Sequence, residues 1–149
     1  MKSIYLIGSL NNPRIPLIGN RLREEGFDTF EDWTSPGRAA DLCWMKYEKI
    51  RGRTYKEALN GYHARHVCAF DKFHLDRCDI GILVMKAGRS GHLELGYMIG
   101  QDKPGYVLFD KEPYRYDIMY GLCTGVYFSL DELVTEIKNV QQNNEFSIF

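Results

Sequence analysis

The sequence predicts an α/β domain: an open, mostly parallel five-stranded sheet covered by helices on both faces. Three observations carry that reading. Short continuous apolar runs, such as IYLIG at 4–8 and the stretch at 79–85, suit strands buried on both faces. Segments with helical periodicity alternate with these runs along the chain, as parallel strand–helix–strand units require. The 149-residue length suits one domain with a sizeable core, so residues 1–149 are read as a single unit.

The elements follow in order. The first strand ends at Gly8 and Ser9; Asn12 then stands as a helix N-cap, Pro13 as the first helical residue and Gly26 as the terminator. FDTFEDW at 27–33 reads as a shorter second strand. Residues 34–53, with a turn at Pro36 and Gly37, read as a long loop whose Trp44, Met45 and Tyr47 form a lid. From Thr54 as N-cap a long helix runs to about residue 77. A strand at 79–85, a helix at about 90–101, a strand at 105–109 and a fifth strand in GVYFS follow. Ser129 and Glu132 form a capping box for a last helix, and 143–149 is expected to be a loose tail.

Composition excludes several classes. A net charge of −1 exerts no overall pull toward nucleic acid or an anionic membrane. No apolar run approaches the ~20 residues of a membrane span. The four cysteines, Cys43, Cys68, Cys78 and Cys123, form no C-x-x-C pair and read as buried free thiols in a reducing cytosol, so the expected location is cytoplasmic. His63 and His66, three apart on one helix face, invite a metal reading, but no cysteine or carboxylate completes a ligand set. GRSGHLELG is not G-x-G-x-x-G, which argues against a dinucleotide oxidoreductase. No metal or cofactor is expected.

Three-layer sandwiches of this Rossmann-like or flavodoxin-like kind bind ligands at the carboxyl ends of their strands. That rule nominates Ser9, Asp32 and Trp33, Arg89 and Ser90, and Asp110. Glu94 stands out as a charge in the first turn of an apolar, glycine-rich helix. The helix dipole stabilises such a carboxylate by typically 0.3–1 kcal/mol and would keep it ionised at neutral pH. Gly91, Gly96 and Gly100 each cost about 1 kcal/mol relative to alanine, so a tight backbone approach is expected there. An ionised carboxylate at a strand's carboxyl end can also attack an anomeric carbon.

YLIGS at 5–9, FDKFHLDRCDIGILV at 70–84 and GRSGHLELGYMIGQDKP at 88–104 resemble the nucleoside 2-deoxyribosyltransferase family, which also holds the 2'-deoxynucleoside 5'-phosphate N-hydrolases. The likeness spans most of residues 3–137 and leaves out the 34–53 loop. It implies Glu94 as the nucleophile that takes the deoxyribosyl group, Tyr5 as the residue orienting its carboxylate, and Asp71 as a partner of the sugar or of the departing base. Ser9, Gly88, Arg89 and Ser90 would line the sugar's 5' end, where a helix N-terminus also favours an anion. RYDIMYG at 115–121 resembles the segment that reaches a neighbouring subunit's site, so a homodimer or larger assembly is implied. There Asp117 stands where transferases usually carry asparagine and phosphate-specific hydrolases serine, which disfavours a 5'-phosphate; Arg89, Arg51 and Arg53 favour one. Two other classes remain open: a TIR-like NAD glycohydrolase, and a catalytically silent nucleotide sensor.

Overall fold

The computed structural model describes residues 1–146, with side chains through Asn143. Its strands are β1 (Ser3–Ile7), β2 (Asp28–Phe30), β3 (Ile80–Val84), β4 (Gly105–Leu108) and β5 (Gly125–Tyr127). Its helices are α1 (Ile15–Glu24), α2 (Ala40–Ile50), α3 (Tyr55–Leu59), α4 (Tyr62–Arg77), α5 (Arg89–Gly100) and α6 (Leu130–Phe146). The five strands pair in the order β2-β1-β3-β4-β5, all parallel, which is the flavodoxin-like order with both faces covered.

The period of two along each strand sorts side chains between two apolar layers. Ile4, Leu6, Ile82 and Val84 join Ile18 and Leu22 of α1 and Leu133 and Ile137 of α6. Tyr5, Ile7 and Leu83 point the other way, to Leu75 of α4 and Leu95 and Met98 of α5. Tyr5 is therefore delivered to the α4–α5 layer by its register alone. α5 can lie close over it because Gly91 lacks a Cβ, which would sit 3.1 Å from Leu83 Cδ1 and 3.2 Å from Ile7 Cγ2. The tight approach expected at Gly96 and Gly100 is absent, since a Cβ on either would meet nothing within 4 Å.

Several boundaries differ from the sequence reading. α1 starts at Ile15 instead of Pro13, because the Asn12 Oδ1 accepts the Arg14 N–H at 3.0 Å and spends that turn before the helix begins. Its end is as expected: Gly26 has φ 92°, and the N–H groups of Gly26 and Phe27 donate to the carbonyls of Arg23 and Leu22, the double closure of a Schellman turn. The second strand is shorter than 27–33, giving way to a 3₁₀ turn at Asp32–Thr34.

The 34–53 loop is not a loop: residues 40–50 are helical. The single buried residue of α2 is Glu48, 3% exposed, which pairs with Arg53 at 3.3 Å and Arg51 at 3.9 Å, so no apolar stripe marked the helix. The long helix expected from Thr54 breaks at Asn60–Gly61 into α3 and α4. Thr54 does cap α3, in a box with Glu57. Gly61 then takes extended geometry as N-cap of α4, where a Cβ would lie 2.7 Å from Arg53 Nη2. Ser129 Oγ accepts the Glu132 N–H at 3.4 Å at the start of α6. The tail expected over 143–149 is helical through Phe146 and otherwise falls outside the described residues.

Candidate active site

Three side chains converge between the sheet and the α4–α5 layer. Tyr5, 0% exposed, rises from the middle of β1; Glu94 descends from α5; Asp71 comes from α4, one helical turn before Leu75. Burial raises the Glu94 carboxyl to about 7, with the nearby Asp71 carboxylate adding to the rise and the Tyr5 hydroxyl opposing it. Burial likewise raises Asp71 to about 6. Burial, then the charges of Glu94 and Asp71, hold the Tyr5 phenol far above its ordinary range. Tyr5 therefore stays a neutral O–H donor.

The Tyr5 hydroxyl has no partner of proper hydrogen-bond geometry. The Glu94 carboxyl is near enough to shift its ionisation, yet not seated as its acceptor. A buried polar atom without a partner costs about 1–3 kcal/mol and calls for an explanation beyond packing. The dipole argument for an ionised Glu94 fails on position. Glu94 is the sixth residue of α5, past the first turn where the dipole acts, and desolvation prevails.

The other nominated residues sit around this centre in different ways. Ser9 Oγ accepts the Asn11 N–H at 3.1 Å in the loop after β1. Asp32 is exposed at the start of the 3₁₀ turn, whereas Trp33 is half-buried and its Nε1 donates to the Leu6 carbonyl at 2.7 Å, which commits its polar edge to β1. Gly88, Arg89 and Ser90 are exposed at the amino end of α5, with Gly88 as N-cap. Asp110 pairs with Arg14 across the ends of β4 and α1. Of the cations invoked for a phosphate, Arg51 and Arg53 are turned onto Glu48, while Arg89 makes no ion pair among the described residues.

Asp117 is exposed, and its Oδ1 caps the Met119 N–H at 2.9 Å. It lines an open groove of about 290 Å³ with Phe109, Tyr116, Tyr120 and Phe128. That groove is on the other flank of α5. Glu94 and Tyr97 face α4, while His92, about 200° round the helix from Glu94, meets the Tyr120 hydroxyl at 2.9 Å and the Gly88 carbonyl at 2.7 Å. Within one chain the structure thus brings together Tyr5, Asp71 and Glu94 and leaves Asp117 apart. Among the described residues no group of three or more His, Cys, Asp and Glu could hold a metal ion, His63 and His66 included. No helix among them is long and apolar enough to cross a membrane.

The fold and site define a flavodoxin-like α/β sandwich with a desolvated carboxyl pair over a buried tyrosine. Solved structures share the fold. One is the CMP N-glycosidase BcmB of Clostridium botulinum, at TM-score 0.50 and 19% identity over 92% of this chain and 99% of that one. A second is the response regulator TrrA of Thermotoga maritima, at TM-score 0.55 and 21% identity over 93% and 98%. A third is a conserved protein of Enterococcus faecalis, at TM-score 0.62 and 13% identity over 93% and 98%. No family model and no curated protein matches the sequence. A glycosidase and a response regulator on one scaffold mean that function must be argued from side chains.

Proposed function

We propose that this chain cleaves the N-glycosidic bond of a 2'-deoxynucleoside or its 5'-monophosphate through a covalent deoxyribosyl ester on Glu94. The observation that carries the reading is the half-buried, largely desolvated Glu94 carboxyl near the unpartnered Tyr5 hydroxyl with Asp71 beside it. The N-glycosidase among the fold neighbours acts on CMP, a ligand of the same chemical class.

In the first step a Glu94 carboxylate oxygen bonds to C1' and the bond from C1' to the base breaks. Its electron pair goes to the base nitrogen, which takes a proton from the Asp71 carboxyl. In the second step water or another base attacks C1', the ester bond returns its electrons to Glu94, and Asp71 takes the proton released by the attacking group. Between about 6 and 7 the pair holds roughly one proton, mostly on Glu94, and the reactive form is the minor one that places it on Asp71. A turn of the Glu94 carboxyl that let it accept from the nearby Tyr5 hydroxyl would favour the ionised Glu94 that this form needs.

The test is chromatography of reactions with deoxynucleosides, deoxynucleoside monophosphates and NAD, each with and without an added free base, for the wild type and Glu94→Ala. Base release that disappears in Glu94→Ala supports the reading; a new nucleoside formed with the added base makes the enzyme a transferase. Turnover of NAD alone would replace the reading with an NAD glycohydrolase, and saturable binding with no turnover would replace it with a sensor.

A further inference from the structure

Helix α4 carries Asp71, yet Leu75 is the one buried residue among its sixteen. Phe70 meets the Phe30 ring edge-on at 5.7 Å, and most of the remaining hold on the helix comes from its last turn, where consecutive side chains about 100° apart leave in three directions. His74 stacks on Phe30 of β2, ring centroids 3.8 Å apart and planes 11° apart. Leu75 enters the core beneath. Asp76 crosses to α5, accepting from the Tyr97 hydroxyl at 2.5 Å and the Gln101 amide at 3.1 Å, and from its own helix's Lys72 at 2.8 Å. Lys103, just beyond α5, donates to the carbonyls of Leu75 and Asp76 at 2.8 and 2.7 Å and so closes the end of α4. Tyr97 and Gln101 follow Glu94 by three and seven residues on one face of α5.

The clasp thus joins the two helices that carry the two carboxyls. Asp71 lies five residues from Asp76, about 7 Å along the axis, so a tilt of roughly 10° about the clasp moves it by about 1 Å. We propose that Asp76, gripped by Tyr97 and Gln101, is a positioning residue that sets the separation between the Asp71 and Glu94 carboxyls. The inference rests on the reading of those carboxyls as the reacting pair. The groups facing Glu94 are Tyr5 from β1 and Asp71 from α4; those on Asp76 are Lys72, Tyr97 and Gln101.

The experiment combines steady-state kinetics with carboxyl carbon NMR titration of Asp71 and Glu94 in the wild type, Asp76→Ala, Asp76→Asn and Tyr97→Phe. Misplacement by about 1 Å can cost up to about 100-fold, so Asp76→Ala and Tyr97→Phe are expected to lose about 10- to 100-fold in kcat with KM little changed. In both, the Glu94 titration is expected to fall toward the ordinary carboxyl range as Asp71 withdraws and water enters. Asp76→Asn keeps an oxygen for Tyr97 and Gln101 and is expected to titrate like the wild type. If Asp76→Asn shifts Glu94 as far as Asp76→Ala does, the effect is lost charge and positioning is refuted. Unchanged titrations in Asp76→Ala and Tyr97→Phe, with a lower melting temperature alone, would reduce the clasp to a brace. Tyr97→Phe deletes one hydroxyl, which keeps the test open if Asp76→Ala does not fold. Absence of wild-type turnover would overturn the glycosidic reading, whereas the titrations judge the clasp without it.

Discussion

Glu94→Gln removes an ionisable group from a desolvated position while keeping its shape, and its effect on stability has a sign and a pH window. The Glu94 carboxyl titrates near 7 in the folded chain against 4.5 when free of the fold. A raised carboxyl favours the protonated form, so its contribution to stability is full below 4.5 and is lost as the pH climbs through about 7. At 1.36 kcal/mol per pKa unit, ionising Glu94 costs the folded wild type about 1 kcal/mol at pH 5 and about 3 kcal/mol at pH 8. Glutamine incurs none of this. Relative to the wild type, Glu94→Gln is therefore expected to gain about 2–3 kcal/mol between those pH values. For a chain of this size that is a relative rise in melting temperature of roughly 5–10 °C. Urea denaturation or calorimetry at half-unit pH steps measures it. If the two proteins keep a constant difference from pH 5 to 8, Glu94 is not desolvated and the description of the site is wrong.

The pH dependence of kcat/KM tests the same pair from the side of the reaction. It is expected to be a narrow bell with limbs near 6 and 7, and Asp71→Asn, which removes a neighbouring charge, is expected to lower the Glu94 titration seen by carboxyl NMR; a flat profile over that range would contradict the assignment. Away from the site, Glu31 is 7% exposed and is held by both nitrogens of the Arg23 fork at 2.6 and 2.8 Å, in space opened by the missing side chain of Gly19. Arg23→Ala strands a buried carboxylate and is expected to cost about 3 kcal/mol in urea denaturation, with Glu31→Ala costing less because Arg23 can turn to solvent; equal losses would mean that the pair contributes packing and no electrostatics.

The sheet was legible because its strands are short apolar runs and its turns carry local chemistry: Gly26 ends α1 and Ser129 starts α6 by interactions within a few residues. α2 was hidden for the opposite reason. Its one inward residue is a carboxylate whose ion pair lies in the following turn, and periodicity of apolar residues cannot register that. The break at Asn60–Gly61, where Gly61 turns extended as the N-cap of α4, falls within a run whose apolar spacing continues across it. Within the site, Tyr5, Asp71 and Glu94 could be named through a resemblance, but the ionisation of Glu94 could not, since the dipole is local and the desolvation is set by the whole layer above the sheet. The Asp76–Tyr97 contact joins residues 21 apart with no pattern between them, and His92 bridging Gly88 and Tyr120 is of the same kind.

The alternation in β1 divides one strand between two different demands. Ile4 and Leu6 belong wholly to the layer under α1 and α6, so substitutions of similar volume can be absorbed there by repacking. Tyr5 between them answers to a hydroxyl, and no apolar residue of the same size replaces that. A mutational scan of five consecutive core residues would then show tolerance at positions 4 and 6 and intolerance at position 5 when selected for turnover, and a smoother profile when selected for folding alone. A one-residue deletion in the strand would do something no point change can: it would carry the phenol to the opposite layer and leave the carboxyls without it.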